Sequence, residues 1–360
     1  MSLFGRISRK LKTDVRNLVL QPVAAVRNAV YTVNGIRRGK ISPVEPLKTL
    51  GATLGALAVV LALLFPIYWI LTAALSSTGG SIYSAGGFNL LPQNPTLQPF
   101  LWVVGDLIVP GYTISVNVPI TDLAVVINTP EVVLLDVSQY GVTNPSNFKG
   151  YLWNSLTVAV PTVVIAMCLV VPAAYALSRR EFILRRKVLF VYVLMTQVGG
   201  GLGVALLIGL YAVYVQFGIN DSKLALAVYY AATAIPFNTW LLKTYMDGIP
   251  VSYEEAAVVD GAPPWRVITE VILPLSTAGL ATVFIFTFLT GWTEFVVAQT
   301  LLTTENYTLP VGLYSLISEY SIPWARFSAF ALTFATPIML VYLFAQRYIE
   351  GGLSFSGMGG

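Results

Sequence analysis

The sequence predicts an all-α polytopic membrane protein with about six transmembrane helices. Two observations carry this. Of the 360 residues, 56% are hydrophobic and 11% charged, with a mean hydropathy of +0.73, whereas soluble domains carry about a quarter charged residues. The apolar residues also gather into six stretches, near Leu50–Leu75, Leu152–Leu177, Val188–Phe217, Leu224–Leu242, Leu275–Leu301 and Phe327–Phe344. Each approaches or exceeds the ~20 residues that cross a bilayer as a helix. Pro66 interrupts the first, the third is rich in glycine, and the fourth barely reaches the required length.

Residues 1–49 form a basic arm ahead of the first span (50–75). Phe4, Ile7, Leu11, Val15 and Leu18 recur at spacings of three and four, with Arg6, Arg9, Lys10 and Arg16 off that stripe. Two readings fit: an interfacial helix on an anionic inner leaflet, or a basic tail. No long apolar region follows the early charges, so a secretory signal is not expected. Ten Lys/Arg precede the first span and five lie between the second and third, while Ser76–Tyr151 holds only Lys149. By the positive-inside rule both termini and the loop after the fourth span are cytoplasmic, and residues 76–151 are an extracytoplasmic insert.

That insert is large enough for a small domain. Thr113–Val118, Leu123–Ile127 and Val132–Val137 are rich in β-branched residues and punctuated by Pro119, Pro130 and Pro145, which predicts short strands and turns. Its acidic residues Asp106, Asp122, Glu131 and Asp136 read as a solvated surface rather than a metal site. No metal is expected.

The most structured polar stretch is Ser252–Pro274, within the loop 244–274. Ser252 followed by Glu255 has capping-box spacing, and Glu254 and Glu255 put negative charge at the positive end of a helix dipole. Gly261 suits the left-handed position that closes a helix, and Pro263 and Pro264 prevent its continuation. A helix of roughly two turns is too short to stand alone. It needs something to dock against, and Ala256 and Ala257 leave its surface small enough for close approach.

Several chemistries are excluded. The chain has no histidine, which removes HExxH sites, histidine triads and histidine relays. Neither GxGxxG nor GxxxxGK[ST] occurs, so nucleotide chemistry must come from another chain. The single cysteine, Cys168, lies in an apolar run and reads as inert packing. No catalytic residue is assigned. Three polar positions fall within spans. Glu294 lines a substrate path or faces water at the interface. Gln197, among Gly199, Gly200, Gly201 and Gly203, marks either a hinge lining a cavity or close helix packing. Asn238, two residues after Pro236, either bonds a substrate hydroxyl or caps a carbonyl freed by the proline, and the second reading is preferred.

Glu255-Ala256-Ala257, Asp260-Gly261 and Leu273-Pro274 together resemble the EAA loop of ABC importer permeases. Three residues separate the motif from Gly261, and nine follow before Val271, where that family usually has isoleucine. The resemblance extends over roughly Leu152–Gly352. Ile235-Pro236-Phe237, Ile249-Pro250, Gly291-Trp292-Thr293-Glu294-Phe295 and Thr308-Leu309-Pro310-Val311-Gly312-Leu313 are similar to the sugar-transporting group, in particular to the shorter permease of maltose- or trehalose-type importers. Thr293 departs from the usual Trp-Asn-Glu-Phe.

The resemblance implies a permease core over 152–346 with a short cytoplasmic tail, 347–360. It implies a coupling helix seated on an ATPase subunit, two such subunits carrying ATP and Mg, a second permease subunit, and an extracytoplasmic sugar-binding protein probed by Thr303–Trp324. The tail Ser354–Gly360 resembles one that reaches between ATPase subunits. Membrane lipid is a further expected partner, and nucleic acid is not. Rival readings are a permease of the same type for a peptide or glycerol phosphate, an ATP-independent secondary transporter, and an intramembrane enzyme. No inverted repeat supports the second, and no Ser/Lys or paired-Asp site within the spans supports the third.

Overall fold

A computed structural model describes residues 42, 44–76, 83–84, 87–88, 91–92, 94–109, 113–117, 124–128, 131–201, 203–317 and 322–356. The expected interfacial helix at the N-terminus and the last four residues of the tail lie outside this set. By internal contacts the chain divides into residues 1–69 and 70–360. Helix α1 (Val44–Ala74) is apolar and continuous through Pro66.

The insert is built from short pieces. Helix α2 (Gln98–Val104) opens on Pro99, which suits a first turn where no N–H bond is needed. Strands β1 (Tyr83–Ser84) and β2 (Gly87–Phe88) pair as a minimal hairpin. Beyond α2, β3 (Leu107–Val109) pairs antiparallel with β6 (Val132–Leu135), and β4 (Thr113–Asn117) with β5 (Ala124–Asn128) in the register Thr113↔Asn128 to Asn117↔Ala124. The β-branched runs therefore form one nested pair of ladders, as expected of them. Carboxylates at its base serve the backbone: Asp106 accepts the Val137 N–H at 2.8 Å, and Asp136 caps the 3-10 turn Val137–Tyr140 through Ser138. Hydrogen bonds from the Ser138 hydroxyl and N–H hold the Asp136 carboxyl below its ordinary pKa.

The bundle proper follows: α3 (Phe148–Arg179), α4 (Arg185–Gly201), α5 (Gly203–Gln216), α6 (Lys223–Asp247), α7 (Ser252–Val259), α8 (Pro264–Leu275), α9 (Thr277–Thr293), α10 (Val296–Leu301), α11 (Leu309–Tyr314) and α12 (Trp324–Ser356). Among the described residues, four helices are long and apolar enough to cross a membrane: within α1, α3, α6 and α12. The bent pair α8–α9 makes a fifth, turning by 80°. The third expected span is split into α4 and α5 within its glycine run, where Gly203 takes φ +29°. The fourth exceeds expectation: its 25 residues start from Ser222, whose side chain caps the Ala225 N–H.

The fifth differs most from the expected Leu275–Leu301. Pro274 offers no N–H to the preceding turn, which widens to π-helix over Val267–Ile272, and the chain swings at Ser276. Its far end stops at Thr293 because Glu294 is extended, ψ 132°.

Helix α3 is the centre, packed along α6 and α9. Its 32 residues rise about 48 Å, so the insert at Phe148 and the α7 loop near Arg179 lie at opposite ends of the bundle. Small residues let the helices touch. Thr162 donates to the Val158 carbonyl at 2.8 Å and across to the Ala227 carbonyl of α6 at 3.3 Å. A Cβ added at Gly291 would stand 3.0 Å from the Ala159 Cα, and one at Gly279 would strike the Tyr245 side chain. Cys168, read as packing, is instead exposed on α3.

This packing predicts that Gly291→Val overpacks the α3–α9 crossing at a cost of about 1–3 kcal/mol. Gly209→Val, with nothing within 4 Å of its added Cβ, should be tolerated. Thermal unfolding of the two purified variants in detergent checks this; equal midpoints would remove the close crossing.

Candidate functional site

Helix α7 forms as expected but starts differently. Val251 is already α-helical, φ −62° and ψ −26°, and its carbonyl accepts the N–H groups of Glu254 and Glu255 at 2.9 and 3.1 Å. Ser252 is thereby drawn into the first turn and makes no cap, so the capping box with Glu255 does not form. At the other end the expectation holds in detail. Gly261 has φ +81°, its N–H bonds the Val258 carbonyl at 3.0 Å, and Ala262 N–H bonds Ala257 at 3.0 Å. This paired closure is a Schellman motif, and a side chain at 261 would be strained.

The inner face of α7 is Glu254 and Ala257, three residues apart and the least exposed of the helix. Glu254 accepts from Arg179 Nε at 2.5 Å and from the Tyr175 hydroxyl at 3.2 Å. Arg179 also donates to the Ile249 carbonyl at 2.8 Å. Both charged side chains are nearly buried, 9% and 12% exposed. Next to them, Ser178 donates to Asp247 at 2.6 Å, and Lys243 pairs with the same carboxylate. Arg185 donates to the last carbonyls of α3, those of Leu177 and Ser178. The end of α3 is thus tied both to α7 and to the end of α6.

The outer face is open. Glu255, Ala256, Asp260, Gly261 and Pro274 are exposed, and Leu273 is half-buried. Val258, Val259 and Trp265 stand out alongside, with Val259 86% and Trp265 65% exposed. The sequence reading singled out the small residues and missed these large ones. A valine pair ending a short helix, with a tryptophan beyond two prolines, was the available signal.

At the insert end a second polar group gathers. Glu294, in the break between α9 and α10, accepts the Tyr230 hydroxyl and the N–H groups of Val297 at 3.0 Å and Ala298 at 3.2 Å. It caps α10, where a carboxylate also meets the helix dipole favourably. Asn154 donates to the Glu305 and Tyr307 carbonyls at 2.9 and 3.1 Å and accepts from Lys223 at 2.9 Å. Ser155 accepts the Leu309 N–H at 2.8 Å. Asp221, at φ +66°, accepts the Thr303 N–H and hydroxyl at 2.7 and 2.9 Å. Together they clamp 303–309 onto α3 and α6. Asn238 is apart from this group: its amide donates to Ala234 at 2.9 Å, not to the Ala232 carbonyl that Pro236 leaves free, and its buried Oδ1 has no partner among the described residues. Gln197 lies in the last turn of α4; its side chain is outside the described set.

Against known families, residues 150–354 match the binding-protein-dependent transport system inner membrane component. The chain belongs to that family. It is therefore a multi-pass permease subunit of an ABC importer. The permease is 35% identical over 216 residues to the inner membrane ABC transporter permease protein YcjP of Escherichia coli, covering 59% of this chain and 75% of that one. It is 30% identical over 306 residues to the maltose/maltodextrin transport system permease protein MalG of Vibrio parahaemolyticus, covering 83% and 91%. A bacterial ABC transporter involved in import of the acidic polysaccharide alginate shares the fold, with a TM-score of 0.63, 20% identity, and coverage of 86% and 98%.

In the permease, the clamp on 303–309 carries a pH dependence. Burial alone would raise the Asp221 carboxyl, but hydrogen bonds from Thr303 and Asn306 and the charge of Lys223 outweigh it and hold its pKa below the ordinary value. A depressed carboxyl contributes stability above its unfolded value of about 3.9 and loses it as pH falls through the lower folded value. Asp221→Asn should therefore lower the thermal midpoint at about pH 7, and the gap from the parent should close toward about pH 3. A gap independent of pH would show that the Asp221 charge does not hold this loop.

Proposed function

We propose that the permease imports a sugar, a maltose-like oligosaccharide, handed over by an extracytoplasmic binding protein. A second permease subunit completes the path. Two ATPase subunits, which hold ATP and Mg, dock at α7. Both termini and α7 face the cytoplasm in this reading, as the distribution of Lys and Arg supports.

One observation carries it: α7 is a closed two-turn helix with its outer face bare and its inner face bonded to the end of α3, which is bonded in turn to the end of α6. A push on the outer face is delivered to two spans at once, because Arg179 and the Ser178–Asp247 bond leave no slack between them. The ends of α3 and α6 at the insert then hold 303–309 through Asn154, Lys223 and Asp221, the face that a binding protein would meet. The sugar assignment is supported by the maltose/maltodextrin relatives. Asn238 is the buried polar group nearest the middle of α6, and Glu294 supports the outer end of the path by fixing α10.

Val259→Asp tests the docking face, since so exposed a residue has little to do with the fold itself. The variant should insert normally, lose several-fold in ATPase copurification, and lose uptake of labelled maltose or maltodextrin in proteoliposomes. The parent complex should prefer these sugars to glycerol phosphate and peptides. Full ATPase retention by Val259→Asp would place docking elsewhere, and preference for another solute would replace the sugar while leaving the coupling intact.

A further inference from the structure

At the α7 end of the bundle, α3, α9 and α12 leave an apolar groove of about 420 Å³ between them. Met167, Leu280, Phe284, Phe344, Ala345 and Tyr348 wall it, and its surface exposes no polar atom. That volume is in the range of about 300–1,000 Å³ typical of small-molecule sites, and its apolar exposed lining suits a hydrocarbon rather than a sugar. At its rim sits Arg347. Its guanidinium lies 4.7 Å from the Tyr348 ring and 5.9 Å from the Phe344 ring, and it donates to the Tyr348 hydroxyl at 3.0 Å. Among the described residues, the ion pairs involve Arg179, Lys243 and Arg266, and Arg347 has no carboxylate.

We propose that this groove binds one anionic phospholipid, an acyl chain against the Phe284 and Phe344 walls and the phosphate on Arg347. Charge complementarity selects this occupant. An oily slot ending in a cation held by aromatic rings, with no carboxylate partner among the described residues, matches a chain joined to an anion. The inference rests on the placement of the α7 end at the inner leaflet, where anionic lipids concentrate. A bound lipid there would wedge between α9 and α12, on the side of α9 that leads into the bend at Ser276.

The test uses the full complex, delipidated in mild detergent and titrated with phosphatidylglycerol or phosphatidylcholine of identical chains, with bound lipid counted by native mass spectrometry. The parent should retain phosphatidylglycerol several-fold better. Arg347→Gln should erase that preference, and Ala281→Trp, which fills the groove, should remove retention of both lipids. Equal retention of the two lipids by the parent would overturn the proposal. So would Ala281→Trp releasing the second permease with lipid counts unchanged, because the groove would then seat a protein helix. If Ala281→Trp fails to assemble, Arg347→Gln alone decides. Transport is not the readout, so the sugar assignment stands or falls separately.

Discussion

The architecture of the α7 end depends on the ion pair between Glu254 and Arg179. Both side chains are nearly out of water, and a buried charge that loses its partner costs about 3–5 kcal/mol. Arg179 is committed further by its bond to the Ile249 carbonyl, and Glu254 by the Tyr175 hydroxyl. Helix α7 is too short to persist by itself, so these contacts and its closure at Gly261 are what hold it in place. The ion pair costs desolvation to bury, and its use is positional: it fixes α7 to the end of the central span.

The far end follows a different logic. No ion pair is found there among the described residues; backbone groups of 303–309 are held by Asn154, Ser155 and Asp221. Glu294 belongs with them. An extended residue in the middle of an apolar stretch leaves N–H groups of the next helix unbonded, and inside a membrane those must be satisfied by protein. The Glu294 carboxylate satisfies two and takes the Tyr230 hydroxyl as well. Between the two ends run α3 and α6, joined where Thr162 reaches the Ala227 carbonyl.

Much of this was legible in the sequence, and the rest was hidden for physical reasons. Composition and apolar run length determine how many helices are buried in lipid, so the polytopic all-α class was readable. The Schellman closure at Gly261 was readable because only glycine is easily placed at that φ. The capping box failed because Ser252 spacing says nothing about Val251, whose own backbone chose to be helical. The pairing of Glu254 with Arg179, 75 residues earlier, depends on how two distant segments meet, and no local pattern encodes it. The halt of α9 at Glu294 was obscured by the unbroken hydrophobicity of its flanks. The bend at Ser276 had a clear marker, Leu273-Pro274, whose consequence is geometric rather than compositional.

The central claim of the proposed function is that α3, α6 and α7 move as one body when ATP binds to the ATPase subunits proposed to dock at α7. Distances between spin labels at exposed Val258 on α7 and exposed Val228 on α6 test it directly, in a complex where Cys168→Ser removes the native thiol. The measurement compares the reconstituted complex without nucleotide and with ATP trapped. One body predicts that the distance stays constant within about 2 Å, the scale of small helix shifts. A shift of about one helical turn, ~5 Å, would show that α7 rocks independently, and the Glu254–Arg179 pair would then be a hinge rather than a tie.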